Sequence, residues 1–347
     1  MGSDASTPTA SSASSVGTPH AAGPVGTPDA PVPVGTPHTP GPAAAGQPIW
    51  RRALPFVLAV GLVGWVLSRL DLDAFVKNLT EVNVAAFAGF TALIVVSVLA
   101  ADTFATVIVY RRSVAPVSFR DFFTMRGASY LPSILNHHVG QAFVTYFVAR
   151  AHRVAILRVA GATLVGYASW MGCLVGLWGI AFWINGKPMI WVMLVLGAGV
   201  VYLLVIASRP RVLADNKLLG PLVAPLFEAR IGDHLIALAA RVPHLCVLFL
   251  GTWLAFWFFG VHVPPKAALE SVPLLMVVVT LPLSPQGFGT RDALAATLFE
   301  QFAMGETKPA RLAAVAAATT SWGVASTLGE ALLGLWLTRR AMRLISK

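Results

Sequence analysis

The sequence predicts an all-α protein that crosses a membrane several times. Hydrophobic residues make up 56% of its 347 residues and charged residues only 12%, whereas roughly 25% of the residues in soluble proteins are charged. The apolar residues also form long runs: 159–186 contains no charged side chain, and about 20 apolar residues suffice for one membrane helix. Together, these two observations exclude a soluble globular enzyme.

The charges between the apolar runs predict how the chain is threaded through the bilayer. Cytoplasmic loops are enriched in Lys and Arg, so the basic segment 111–126 and the basic loop 208–243 are expected in the cytoplasm, together with both chain termini. The loop 208–243 also carries apolar residues at helical spacing, which indicates an interfacial amphipathic helix. Full spans are predicted at about 53–70, 84–110, 155–184, 188–207, 244–262 and 310–338.

Two further apolar segments, 127–149 and 270–303, are predicted to be broken re-entrant hairpins. Both contain Pro and Gly, and a full crossing by 127–149 would put Arg150, Arg153 and Arg158 outside. The alternative is eight simple spans, which places two basic clusters outside. Two hairpins that enter from opposite faces form an inverted repeat, and transporters bind their substrates between such broken segments.

The first 48 residues have a different composition from the rest of the chain. Residues 1–48 consist mainly of Ala, Pro, Ser, Thr and Gly and have no basic start, so a disordered tail is predicted rather than a signal peptide. A docking tail for a partner is the alternative. Residues 49–347 are predicted to form the transmembrane domain.

The remaining composition argues against several classes of function. The net charge is +10, but the arginines lie beside apolar spans, where membrane orientation explains them better than nucleic-acid binding. Cys173 and Cys246 lie in apolar runs without metal-ligand spacing. The sequence contains no catalytic or nucleotide-binding fingerprint, so neither a metal nor a cofactor is expected.

The second hairpin contains a candidate phosphate site. Gly residues allow a tight turn before a helix, Thr290 is a suitable N-cap, and Arg291 lies in the first helical turn. Free amides, the positive end of a helix dipole and a guanidinium together suit a phosphate. In the alternative interpretation Thr290 and Asp292 only cap the helix, and Arg291 anchors lipid headgroups at the rim. The candidate substrate-binding residues are Pro282, Pro285, Gly287, Gly289, Arg291 and Asp292.

The first hairpin contains a second polar set. Adjacent histidines point to different faces of a helix, so His137 and His138 form a poor metal pair, and a polar cavity is expected instead. Its candidate residues are Arg126, Pro132, Asn136, His137, Gly140 and Gln141. Asp102 and Glu330 lie within predicted spans, where ionisable groups are functional candidates; alternatively they pair with a buried arginine or cap a hairpin.

These motifs resemble the flippase-like membrane family related to the transmembrane region of lysylphosphatidylglycerol synthases. The order of its first motif is matched by Arg126, Pro132, Asn136, Gly140 and Arg150, and the order of its second by Pro282, Pro285, Gly287, Gly289 and Arg291. Three positions depart from the family pattern: Gln286 replaces a Gly, Asp292 a Glu, and Gln141 an acidic residue. The resemblance covers about 51–343 and implies the lipid-translocating half, without a soluble synthase domain.

From the sequence, we expect a multi-pass protein of a bacterial-type inner membrane that moves a lipid with an anionic or phosphate-bearing headgroup between leaflets. It is not expected to be an enzyme, and membrane lipids are its expected partners. One alternative is a membrane-embedded enzyme on a lipid-linked substrate, with His137, Asp102 or Asp292 as acid or base. Another is a non-transporting partner of a separate lipid- or envelope-synthesising enzyme. The sequence does not specify an oligomeric state.

Overall fold

The structure is a computed structural model that describes residues 72–135, 137–208, 216, 219–280 and 289–345. This part of the chain is helical and contains no strand. The predicted tail 1–48 and the first predicted span 53–70 lie outside the described residues. The helices are α1 (Leu72–Glu81), α2 (Val84–Ser113), α3 (Phe119–Ala128), α4 (Tyr130–Leu135), α5 (His137–His152), α6 (Ile156–Ile184), α7 (Met189–Ser208), α8 (Gly220–Glu228), α9 (Ile231–Trp257), α10 (Pro265–Thr280), α11 (Thr290–Phe299) and α12 (Lys308–Ile345).

Four of these helices, α2, α6, α7 and α9, are long and apolar enough to cross a membrane. The 38-residue α12 is also long enough, but it is less apolar than those four. The prediction of an all-α polytopic membrane protein is therefore confirmed. The predicted spans 84–110, 155–184 and 188–207 correspond to α2, α6 and α7, and α12 covers 310–338. The total of six full spans stays a prediction.

One predicted boundary is wrong. The structure shows a single helix, α9, from Ile231 to Trp257, whereas the sequence predicts a loop up to residue 243 and a span from residue 244. In the part of the predicted loop 208–243 that the structure describes, α8 is a short helix separate from α9. The physical reason is the buried position of Arg241: it pairs with Asp102 inside the bundle, so it does not mark a loop exposed to water.

The first predicted hairpin, 127–149, is present as a helical turn-back. The two arms meet where Ser133 of α4 packs against Gly140 of α5, in a contact that leaves no room for a Cβ at residue 140. At the open end, Phe122 of α3 and Phe147 of α5 share one buried cluster with the end of α2 and the start of α6. The chain therefore enters the bundle through α3 and α4 and returns through α5 to the end that it left.

The second predicted hairpin, 270–303, also begins and ends at one end of the bundle. Its arms are α10 and α11, and residues 281–288 between them lie outside the described residues. The segments that flank the two arms pair through their backbones, because the N–H of His262 donates to the carbonyl of Phe302 at 3.0 Å. The hairpin is thus closed at its base.

The two hairpins enter the bundle from opposite ends. The first opens where α2 terminates with Arg111 and Arg112, which we call the basic end. The second opens at the other, distal end, where Phe87 near the start of α2 packs edge to face on Phe259, with ring centroids 5.3 Å apart. The first hairpin follows α2, which runs from the distal end to the basic end, and precedes α6, which runs back. The second hairpin follows α9, which runs from the basic end to the distal end, and precedes α12, which runs back. This is the inverted order that the sequence predicts.

Candidate functional site

A cavity of about 680 Å³ lies inside the bundle and is lined by residues of both hairpins. It extends along α2 from Ile94 to Tyr110, which corresponds to roughly 24 Å at the rise of an α-helix. On α12, the lining residues share one face at helical spacing: Trp322, Gly323, Ser326, Thr327 and Glu330. The cavity thus extends along the bundle from the depth of one hairpin to the depth of the other.

A buried cluster of two arginines and one aspartate forms part of the cavity wall. Asp102 of α2 accepts a hydrogen bond from Nε of Arg126 at 2.6 Å and one from Nη1 of Arg241 at 2.5 Å. The three side chains are 11%, 13% and 6% exposed, respectively. Since one carboxylate serves two guanidinium groups, the cluster retains one net positive charge.

Neighbouring polar groups orient this cluster. Nη2 of Arg241 donates to Thr106 at 3.3 Å, and its Nη1 lies 3.3 Å from Nδ1 of His244. A guanidinium has no acceptor, so the His244 nitrogen accepts in this contact and carries no proton. Arg126 lies over the ring of Tyr130, with its Cζ 5.8 Å from the centroid. The guanidinium groups are therefore held in place by both charge and geometry.

The start of α11 differs from the prediction in one detail. Thr290 is the first helical residue, and Gly289 before it has a φ of +79°, a backbone conformation that favours glycine. The backbone N–H of Gly289 donates to Oδ2 of Asp292 at 3.0 Å. Asp292 therefore caps its own helix, as the alternative interpretation expects, while Thr290 is not the N-cap.

Arg291 is buried in the bundle, so the interpretation of it as a headgroup anchor at the rim is wrong. Its Nη2 donates to the carbonyl of Thr319 at 2.9 Å and lies 3.5 Å from Oδ1 of Asp292. The guanidinium packs directly on Gly323 of α12, where a Cβ would collide with it. Arg291 lines the same cavity as Arg126 and Arg241.

The two arginine groups lie at different depths. Arg291 contacts α12 at Gly323, whereas Gly127, next to Arg126, contacts α12 at Leu337. These contacts are separated by roughly 20 Å along the helix axis. The cavity thus has one arginine station near each hairpin: Arg126 with Arg241 near the first, and Arg291 near the second.

Some of the other predicted site residues line the cavity and others do not. His137 and Gln141 line the cavity together with His138, whereas Gly140 packs against Ser133 and serves the turn itself. Pro132 lies on α4 and is not among the lining residues. Outside the described residues lie Asn136, Pro282, Pro285 and Gly287.

Glu330 lines the cavity on α12, between the two arginine stations. Seven residues separate it from Gly323 and seven from Leu337, which is roughly 10 Å in each direction along the helix. It forms no ion pair with any residue that the structure describes. Of the two acids predicted within spans, Asp102 is therefore the paired one and Glu330 the one without an ionic partner in the described bundle.

Arg241 and His244 lie in the site although neither is among the residues predicted for it from the sequence. They are followed on the same face of α9 by Leu248 and Thr252, which also line the cavity. This spacing of three, four and four residues is a helical stripe, which could have indicated that Arg241 belongs to the span. Within the described residues there is no group of three His, Cys, Asp or Glu side chains that could hold a metal.

A bundle of membrane-crossing helices with two opposed hairpins around a cationic cavity defines a polytopic membrane protein with an internal polar site. The chain belongs to the family of the lysylphosphatidylglycerol synthase TM region, whose pattern it matches over residues 52–344. This confirms the resemblance found in the hairpin motifs and links the protein to lipid or cell-envelope processes in the membrane. No curated protein matches the chain, and no solved structure matches it.

Proposed function

We propose that the protein moves lipids with an anionic headgroup between the two leaflets, and that the headgroup passes through the cavity between the hairpins. The observation that carries this proposal is the pair of buried arginine stations at two depths of one cavity. Burying an arginine is costly even when it has an acidic partner, so three buried arginines around a single cavity support a function for their charge.

The chemistry of the stations suits a phosphate. Arginine offers a planar fork of donors that matches phosphate oxygens and remains charged inside the bundle. At the first station, Arg126 and Arg241 leave one positive charge beyond that of Asp102, which a singly charged phosphodiester would neutralise. At the second station, Arg291 is held by a backbone carbonyl and by its neighbour Asp292. A headgroup could therefore exchange one cationic partner for the next without facing hydrocarbon.

The acyl chains would remain outside the bundle. The outward faces of the crossing helices carry exposed apolar side chains, such as Leu93 on α2 and Leu196 on α7. These faces suit lipid tails, whereas the cavity offers polar partners to the headgroup. The basic end would face the cytoplasm of a bacterial-type inner membrane, because it carries the arginine-rich segments.

Reconstitution tests the proposal. Proteoliposomes that contain phosphatidylglycerol with a fluorescent group on one tail would be treated with a membrane-impermeant quencher, and the inward-facing pool that becomes accessible would be followed over time. We expect flipping by the wild-type protein and a loss of at least tenfold for Arg126→Gln and for Arg291→Gln. Arg158→Gln is the matched control, because Arg158 pairs with Glu228 at the surface. Equal rates in all four proteins would contradict the proposal.

The same samples distinguish the two alternatives. An enzyme would produce a new lipid species, which mass spectrometry of the extracted lipids would detect. Asp102 is poorly suited to be its acid or base, because it accepts hydrogen bonds from two arginines that hold it as a carboxylate. A partner of a separate synthase would neither flip the fluorescent lipid nor respond to the two cavity substitutions.

A further inference from the structure

Glu330 is an acidic residue of the cavity wall that forms no ion pair with any residue that the structure describes. It lies on the cavity face of α12, halfway between the contact with Arg291 and the contact with the first hairpin. A phosphate that moves from one arginine station to the other has to pass this level. An ionised carboxylate here would repel the phosphate strongly, because the repulsion between like charges is poorly screened where water is scarce.

The charges around the cavity give this repulsion a definite consequence. Three arginines face two aspartates, Asp102 and Asp292, each held in an ion pair, and residues 281–288 of the second hairpin contain no charged side chain. With Glu330 ionised, the set is neutral, and an anion would leave one negative charge uncompensated. With Glu330 protonated, the set has one positive charge, and a singly charged anion would neutralise it.

We propose that each anionic headgroup enters the cavity together with one proton, which Glu330 carries as a carboxylic acid. The inference rests on the proposed function and specifies the ion, a proton, whose movement is coupled to that of the lipid. Solvent water supplies the proton to the Glu330 carboxylate when the headgroup enters, and the proton returns to water when the headgroup leaves. Transport of a singly charged lipid with one proton moves no net charge.

The other titratable groups that face this level of the cavity are less suited to carry the proton. Protonation would remove the negative charge with which Asp102 pairs with two arginines, and it would weaken the hydrogen bond by which Asp292 caps α11. His244 accepts from Arg241 through Nδ1. The remaining candidates are the two adjacent histidines of the first hairpin. Besides Glu330, the charged and titratable lining groups among the described residues are Asp102 and Tyr110 on α2, Arg126 on α3, Tyr130 on α4, His137 and His138 on α5, Tyr167 on α6, Arg241 and His244 on α9, and Arg291 on α11.

Calorimetry of the purified protein in detergent tests the inference, with dioctanoyl phosphatidylglycerol as the probe. Titrations in buffers that differ in ionisation enthalpy give the number of protons taken up per lipid. We expect about one proton for the wild type, and an affinity that falls up to about tenfold per pH unit as pH rises through the titration of Glu330. Glu330→Gln should show no proton uptake and lose this pH dependence.

Two matched variants make the assignment specific. His137→Gln removes a competing proton site in the cavity, and Glu300→Gln removes a carboxylate that pairs with Arg311 at the distal end. His137 lines the cavity, so His137→Gln is judged by the number of protons taken up per bound lipid and not by its affinity; this number should equal that of the wild type. Glu300→Gln should retain both the affinity and the proton uptake of the wild type. If His137→Gln abolished the uptake and Glu330→Gln did not, the proton would not be on Glu330 and the inference would be wrong.

The outcomes also separate this inference from the proposed function. If the wild type binds the lipid without proton uptake, coupling through Glu330 is refuted, while the proposed function stands. If the wild type does not bind the lipid at all, the proposed function fails, and the inference fails with it. Dioctanoyl phosphatidylcholine, which has no net charge, should bind more weakly than the anionic probe.

Discussion

Replacing Asp102 by Asn tests the buried cluster at its centre. The change keeps the size of the side chain but removes the carboxylate that, among the described residues, pairs with both Arg126 and Arg241. Both guanidinium groups then remain buried without their counter-charge. We therefore expect Asp102→Asn to destabilise the protein more than any substitution in an exposed ion pair.

The magnitude follows from the two charge-assisted hydrogen bonds that Asp102 accepts inside the bundle. A hydrogen bond to a charged group contributes about 1.5–3 kcal/mol, and removal of one partner from a buried pair costs about 3–5 kcal/mol. We expect a loss of about 3–5 kcal/mol for Asp102→Asn. Arg241→Gln should cost less, because Asp102 keeps its bond to Arg126.

Unfolding in mixed micelles, with increasing dodecyl sulfate and circular dichroism as the readout, measures these differences. Glu228→Gln is the matched control, because Glu228 also pairs with an arginine but is 56% exposed; it should cost about 1 kcal/mol or less. If Asp102→Asn were no more destabilising than Glu228→Gln, the ion cluster would make no net contribution and the reasoning about its charge would be refuted.

Two further predictions concern the hairpins and their orientation. Gly140→Val should cost about 1–3 kcal/mol in the same unfolding assay, because a Cβ there would meet Ser133 and a backbone carbonyl. Gly197→Ala is the control and should be nearly neutral, because the space around residue 197 is open. Equal effects of the two substitutions would contradict the close approach of the two arms. In a cysteine-free background, an impermeant thiol reagent applied to intact cells should label Met304→Cys at the distal end and spare His152→Cys at the basic end, and the reverse pattern would invert the proposed orientation.

Much of the fold could be predicted because its signals are local. The breaks in the two hairpins come from Pro and Gly, and the charges on either side of 127–149 require the chain to return to the end from which it came. Such signals depend on composition and on the positive-inside rule, which act on each segment separately. The opposed hairpins could therefore be predicted before any contact was known.

The ion cluster could not be predicted in the same way, because it depends on contacts between distant segments. Arg241 is 139 residues from Asp102, and in the sequence it resembles the other arginines of a basic loop. Its ionic partner becomes clear only when α9 packs beside α2 and brings the carboxylate of Asp102 within reach. The same holds for Arg291, whose burial depends on the small residue Gly323 on another helix.

The most direct test of the proposed path is to block the cavity. Ser326→Cys, in a background with Cys173→Ser and Cys246→Ser, places a thiol on the cavity face of α12 between the two arginine stations. Val200→Cys on the exposed face of α7 is the control. After reaction with a bulky thiol reagent, we expect the Ser326→Cys protein to lose lipid flipping and the Val200→Cys protein to retain it. Undiminished flipping by fully modified Ser326→Cys protein would contradict passage of the headgroup through this cavity.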